Sequence, residues 1–185
     1  MGKRSFFPRL ALVNLVRNSR YYGPYLLSCG ALAAMYYILR FLTWNEVIQT
    51  VRGAAYLQVM MSIGCFVVAL FSTVLLLYAN SFVMKRRQKE LGLYNILGLE
   101  KRHIAALCFW ETLLCAAVVI PGGIAAGILL SKLILLLLLK LVQIPVQFGF
   151  SVSVRGVGET AVLLGVLFLL ALLWNLLRLG RSRPI

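Results

Sequence analysis

Ile104–Leu141 reads IAALCFWETLLCAAVVIPGGIAAGILLSKLILLLLLKL. The run is far longer than the roughly 20 helical residues that cross a ~30 Å hydrocarbon layer at ~1.5 Å rise each. It shows none of the period-two alternation of a barrel strand. Its backbone amides must therefore be satisfied within the segment, as a helix. Pro121-Gly122-Gly123 in its middle poses the question that decides the fold: a hairpin of two spans, or one long, kinked and tilted helix.

Working outward, three further apolar stretches qualify as spans, so that the set lies near Tyr22–Leu42, Leu57–Ser81, Ile104–Leu130 and Val157–Leu177. With 62% hydrophobic and 13% charged residues and a mean hydropathy of +0.92, the chain is too apolar for a water-soluble globule. The expected fold is all-α, a polytopic bundle of four transmembrane helices. Charge placement favours four spans over the hairpin. Lys3, Arg4, Arg9, Arg17 and Arg20 precede the first span, Lys85, Arg86, Arg87, Lys89, Lys101 and Arg102 lie between the second and third, and Arg178, Arg181 and Arg183 follow the last. Only Arg40, Arg52, Lys132, Lys140 and Arg155 fall on the other side, a bias that places both termini in the cytoplasm. The expected layout is an interfacial elbow over 1–21, a transmembrane domain over 22–177 containing a coupling segment at 85–102, and a tail over 178–185.

Catalytic constellations are absent from the sequence. The five acids, Glu46, Glu90, Glu100, Glu111 and Glu159, are scattered, and there is neither an Asp nor a glycine-rich phosphate loop. No enzyme chemistry and no cofactor are expected, and any ATP would be bound by another chain. Cys29, Cys65, Cys108 and Cys115 fall in the spans and read as small apolar side chains, and lone His103 offers no metal site. The basic excess flanks spans, which fits an anionic lipid surface and no nucleic acid. No small-residue cleavage site follows the first apolar run, so that span stays in the membrane.

Ser5–Tyr21 has the pattern of an interfacial helix, with Arg9, Arg17 and Arg20 on one side and Ala11, Leu12 and Leu15 opposite. Tyr21, Tyr22 and Tyr25 suit one aromatic belt, and Tyr36, Tyr37 and Trp44 the other. Gly123, Gly127 and Ser131 recur every four residues, a strip that lets another helix approach closely. Glu111 is the ionisable group well inside a span. It is a functional candidate by its cost, paired with a base of the polar block or with a further helix, or else snorkelling or protonated.

The polar block between spans two and three begins with Lys85, Arg86, Arg87 and Lys89, a basic flank for the membrane surface. Leu91, Leu93, Tyr94, Ile96 and Leu97 then make a short greasy helix that Gly98 can end. Such a helix either docks in a groove of a cytosolic partner or lies flat in the membrane interface.

The run Lys85–Leu99, followed by Arg102-His103-Ile104 and then Glu111, resembles the signature of FtsX-like ABC transporter permeases. Leu12–Asn18 with Arg20 and Tyr21-Tyr22 is similar to their amino-terminal elbow, and Leu77–Phe82 to the end of their second helix. The short loop after the first span resembles the bacitracin-resistance type of permease. The resemblance implies that Glu90, Leu91, Gly92, Leu93, Tyr94, Leu97 and Gly98 form a coupling helix docked in an ABC ATPase subunit. It implies a role in export, detoxification or sensing of cell-wall-active peptides, with a sensor histidine kinase as a further partner. Permeases of that branch are ten-span proteins several times this length, so the chain is expected to be an amino-terminal portion that meets the remaining permease helices. Two rivals stay open: an ATPase-coupled regulator of cell-wall hydrolysis, and a small membrane scaffold with no ATPase.

Overall fold

The computed structural model describes residues 6–45, 53–96, 101–141 and 152–181. These form five helices and no strand: α1 (Phe6–Arg17), α2 (Ser19–Thr43), α3 (Ala54–Ile96), α4 (Lys101–Leu141) and α5 (Val154–Arg181). Four stretches within them are long and apolar enough to cross a membrane: Ser19–Thr43, Ala54–Arg87, Arg102–Leu138 and Val154–Arg178.

α4 runs unbroken through Pro121-Gly122-Gly123, one helix of 41 residues with no hairpin. Proline removes one backbone donor but is compatible with a membrane helix whose neighbours cover the loss. α3 differs from the expectation of a short separate helix after the second span. It is a single helix of 43 residues that carries the span and continues to Ile96. No proline interrupts it, and Gly92 alone costs only about 1 kcal/mol, too little to break a rod already held by packing. At its other end Gly53 takes φ 87°, and its carbonyl accepts from the Tyr56 and Leu57 amides at 3.0 and 3.2 Å. A side chain there would be strained. The elbow also shifts, because α2 begins at Ser19, so that Ser19 to Tyr21 belong to the first span's helix. α5 starts with a cap, the Gly156 amide donating to Ser153 Oγ at 3.1 Å.

The described residues fall into two compact units. The first draws on Met1–Ser28, Thr73–Val118 and Gly165–Ile185. Its buried stripe on α3 is Leu76, Asn80, Val83, Met84 and Arg87, a helical spacing of three and four. α4 matches it with Ile104, Leu107, Cys108, Glu111 and Cys115.

The second unit draws on Cys29–Ser72 and Val119–Leu164. Tyr37, Ile38, Phe41 and Leu42 of α2 pack there against Ile124 and Leu135 of α4. The small-residue strip makes the contact close. A Cβ on Gly123 would overlap the Ala33 side chain, and one on Gly127 would lie 3.1 Å from the Ala34 Cα. Ser131 is buried, its hydroxyl donating to the Ile128 carbonyl at 2.8 Å.

Candidate functional site

The expected basic flank divides in two. Lys85 and Arg86 are exposed, as a membrane-surface role requires, whereas Arg87 is only 2% exposed. Arg87 is therefore not a surface residue. Since α3 does not end at the span, position 87 stays on the buried stripe that holds Leu76, Asn80 and Val83. Its guanidinium needs a counter-charge there.

That counter-charge is Glu111 of α4, 4% exposed, whose Oε2 is bonded by Arg87 Nη1. The same Nη1 donates to Tyr22 Oη of α2 at 2.9 Å. Glu111 Oε1 accepts from Asn14 Nδ2 of α1 at 3.3 Å. One carboxylate is thus held from α1 and α3, and one guanidinium nitrogen reaches α2 and α4. The pair is neutral in sum, which makes it tolerable among apolar helices. Of the partners open to Glu111 from sequence, the structure contains the base of the polar block.

A second polar link lies in the same unit. Asn80 and Asn175 exchange side-chain amide bonds at 2.9 and 3.1 Å, joining α3 to α5. Between the ion pair and this amide pair is a cavity of about 20 Å³ lined by Tyr22, Asn80, Glu111, Thr112 and Asn175 among others, room for about one water molecule with polar partners.

Asn14, Tyr22, Asn80 and Asn175 were not singled out as site residues from sequence. Asn14 follows Ala11 by three residues, and both are buried on α1, while Leu12 opposite is 54% exposed. An asparagine on the buried edge of α1 was the available signal. Tyr22 was read as an aromatic-belt residue, yet its hydroxyl is committed to Arg87.

In the second unit Glu159 Oε2 lies 2.9 Å from Arg40 Nε, and Glu159 Oε1 accepts from Arg155 at 3.1 Å. The Arg155 guanidinium stacks over Trp44, 3.6 Å from the ring centre. Glu159 is therefore a bridge between the end of α2 and the start of α5. Among the described residues no three His, Cys, Asp or Glu side chains come together as metal ligands.

The segment expected to dock begins at Glu90, three residues beyond Arg87. Its backbone is helical to Ile96, while the side chains of Lys89, Glu90, Leu91, Leu93 and Tyr94, and Leu97 and Gly98 altogether, lie outside the described residues.

Comparison with known proteins supplies the family. Residues 62–184 match the profile described as FtsX-like permease C-terminal. The chain is 30% identical over 171 residues to the bacitracin export permease protein BceB of Bacillus subtilis, covering 90% of this chain and 26% of that protein. It is 28% identical over 172 residues to BceB of Halalkalibacterium halodurans, covering 91% and 26%. It is 25% identical over 178 residues to the uncharacterized ABC transporter permease YvcS of Bacillus subtilis, covering 95% and 27%. The chain thus spans about a quarter of the length of these relatives.

Proposed function

The chain belongs to the FtsX-like permease family, and on that premise we propose that it forms the amino-terminal four spans of the permease subunit of a bacterial ABC transporter. ATP is bound and hydrolysed by a separate ATPase subunit, and this chain is a transport component without an active site of its own. The transported or sensed molecules are cell-wall-active antimicrobial peptides, in keeping with the bacitracin export named for two of its relatives. The remaining permease helices, an anionic lipid surface and a sensor histidine kinase complete the set of partners.

One observation carries this reading. α3 has 43 residues, and at ~1.5 Å per residue such a helix is about 65 Å long, twice the ~30 Å hydrocarbon core. It therefore projects well past the membrane, and the end that bears the basic run is the one nearest 90–98. α4 begins only a few residues later, at Lys101. A span that continues as one rod into a greasy tip is a lever that a cytosolic ATPase can grip by helix-in-groove docking. The excess of Lys and Arg around the termini and 85–102 supports a cytoplasmic placement for all three in the plasma membrane.

The test is co-purification of the membrane-inserted permease with its ATPase. Leu93→Asp or Tyr94→Asp places a carboxylate in the docking surface and is expected to abolish the complex while leaving insertion intact. Unchanged ATPase binding in both variants removes the proposal.

A further inference from the structure

We infer that Asn14, Tyr22, Arg87 and Glu111 form the joint through which movement of the 90–98 segment reaches α1, α2 and α4, with Arg87 as the positioning residue. The inference rests on the reading of 90–98 as the ATPase-docking segment.

Arg87 stands three residues before Glu90 on the same uninterrupted helix, less than one turn of ~3.6 residues. Rotation or translation of the docking segment is therefore carried directly to its guanidinium. Topology does not need a charge at this buried position, because Lys85 and Arg86 on the same helix are exposed and serve that purpose. Bundle cohesion does not need it either, since apolar side chains of similar volume pack helices without the desolvation cost of an ion pair.

An ion pair with hydrogen bonds adds direction. Arg87 Nη1 meets Tyr22 Oη at 2.9 Å and Glu111 Oε2, and Glu111 Oε1 meets Asn14 Nδ2 at 3.3 Å. Each bond holds only over a narrow range of distance and angle. Turning α3 thus pulls on α2 and α4 through one nitrogen, and on α1 through the second oxygen of the same carboxylate. The four residues lie in one compact unit, so the linkage needs no assumption about the other.

A joint and a merely cohesive cluster give different results in the full-length permease–ATPase complex, reconstituted in lipid nanodiscs. The informative variant is the double substitution Arg87→Met with Glu111→Leu, which leaves no stranded charge. ATPase bound per permease is expected to stay within about twofold of wild type. Permease-dependent ATP turnover, the rate of the complex less that of the ATPase alone, is expected to fall about tenfold in kcat with KM for ATP unchanged, toward the lower end of typical coupling between sites. Arg87→Lys, which keeps the charge but not the planar fork, is expected to restore part of the loss. Turnover within about twofold of wild type in the double variant overturns the inference. If the double variant does not accumulate, Tyr22→Phe removes one hydroxyl and no charge. A fall of about threefold or more in turnover with the ATPase still bound supports the joint, and unchanged turnover overturns it. Loss of ATPase binding in Leu93→Asp tests docking separately, so failure of the joint and failure of the docking reading are told apart.

Discussion

Arg87→Met and Glu111→Leu should each destabilise the protein by several kcal/mol, because each leaves one member of a buried ion pair without its partner. In Arg87→Met the carboxyl of Glu111 is left without its counter-charge among Tyr22, Cys108 and Cys115. A buried charge that loses its partner costs roughly 3–5 kcal/mol. Loss of the Arg87–Tyr22 bond adds about 1 kcal/mol. In Glu111→Leu the guanidinium cannot lose its proton, and the expected cost is at or above the roughly 3–5 kcal/mol typical of a broken buried pair. The double variant strands no charge but takes the bonded partners from the Asn14 amide and the Tyr22 hydroxyl, at about 1 kcal/mol or more each, and should lie within about 2–3 kcal/mol of wild type, so the cycle yields a coupling of about 3 kcal/mol or more. For a chain of this size ~1 kcal/mol moves the thermal midpoint by about 2–4 °C, which makes the single-variant losses roughly 10 °C or more.

Thermal midpoints in detergent, followed by loss of the monodisperse peak, measure the three variants side by side. A double variant as unstable as the worse single would refute the reasoning.

The close approach of α2 and α4 predicts that Gly123→Ala, whose Cβ would overlap Ala33 and come 3.0 Å from the Gly30 carbonyl, lowers stability by about 1–3 kcal/mol. Gly122→Ala, next to it with open space around it, should be neutral or stabilising by up to about 1 kcal/mol, and thermal midpoints of the two compare them directly. Asn80→Leu leaves the Asn175 amide without its reciprocal partner and should cost about 1–2 kcal/mol, with Asn80→Leu/Asn175→Leu recovering most of it. All four cysteines are buried, so a membrane-permeant maleimide should label the folded protein slowly and reach every one of them after denaturation. Rapid labelling of Cys108 or Cys115 would contradict the closed packing around Glu111.

The spans were legible because hydropathy is a local property, and lipid forces each apolar run to satisfy its own backbone. The strip Gly123, Gly127 and Ser131 was legible for a related reason. A four-residue spacing of small side chains marks a helix face whatever its partner is, although the partner, Gly30 with Ala33 and Ala34, was not foreseen. Arg87 was misread as a surface charge because the second helix was expected to give way to a separate one near the headgroups. Once α3 is seen to continue, the spacing Leu76, Asn80, Val83, Arg87 puts the arginine inside.

By itself the sequence determined an all-α membrane protein of four crossings, a greasy segment after the second, and one costly acid within the third, since each of these follows from what a short stretch of chain does in lipid or at its surface. Only the tertiary structure decided which residues meet that acid. Its bonded partners stand 24 and 97 positions away along the chain, and only the packing of α1, α3 and α4 sets which helix faces turn toward one another.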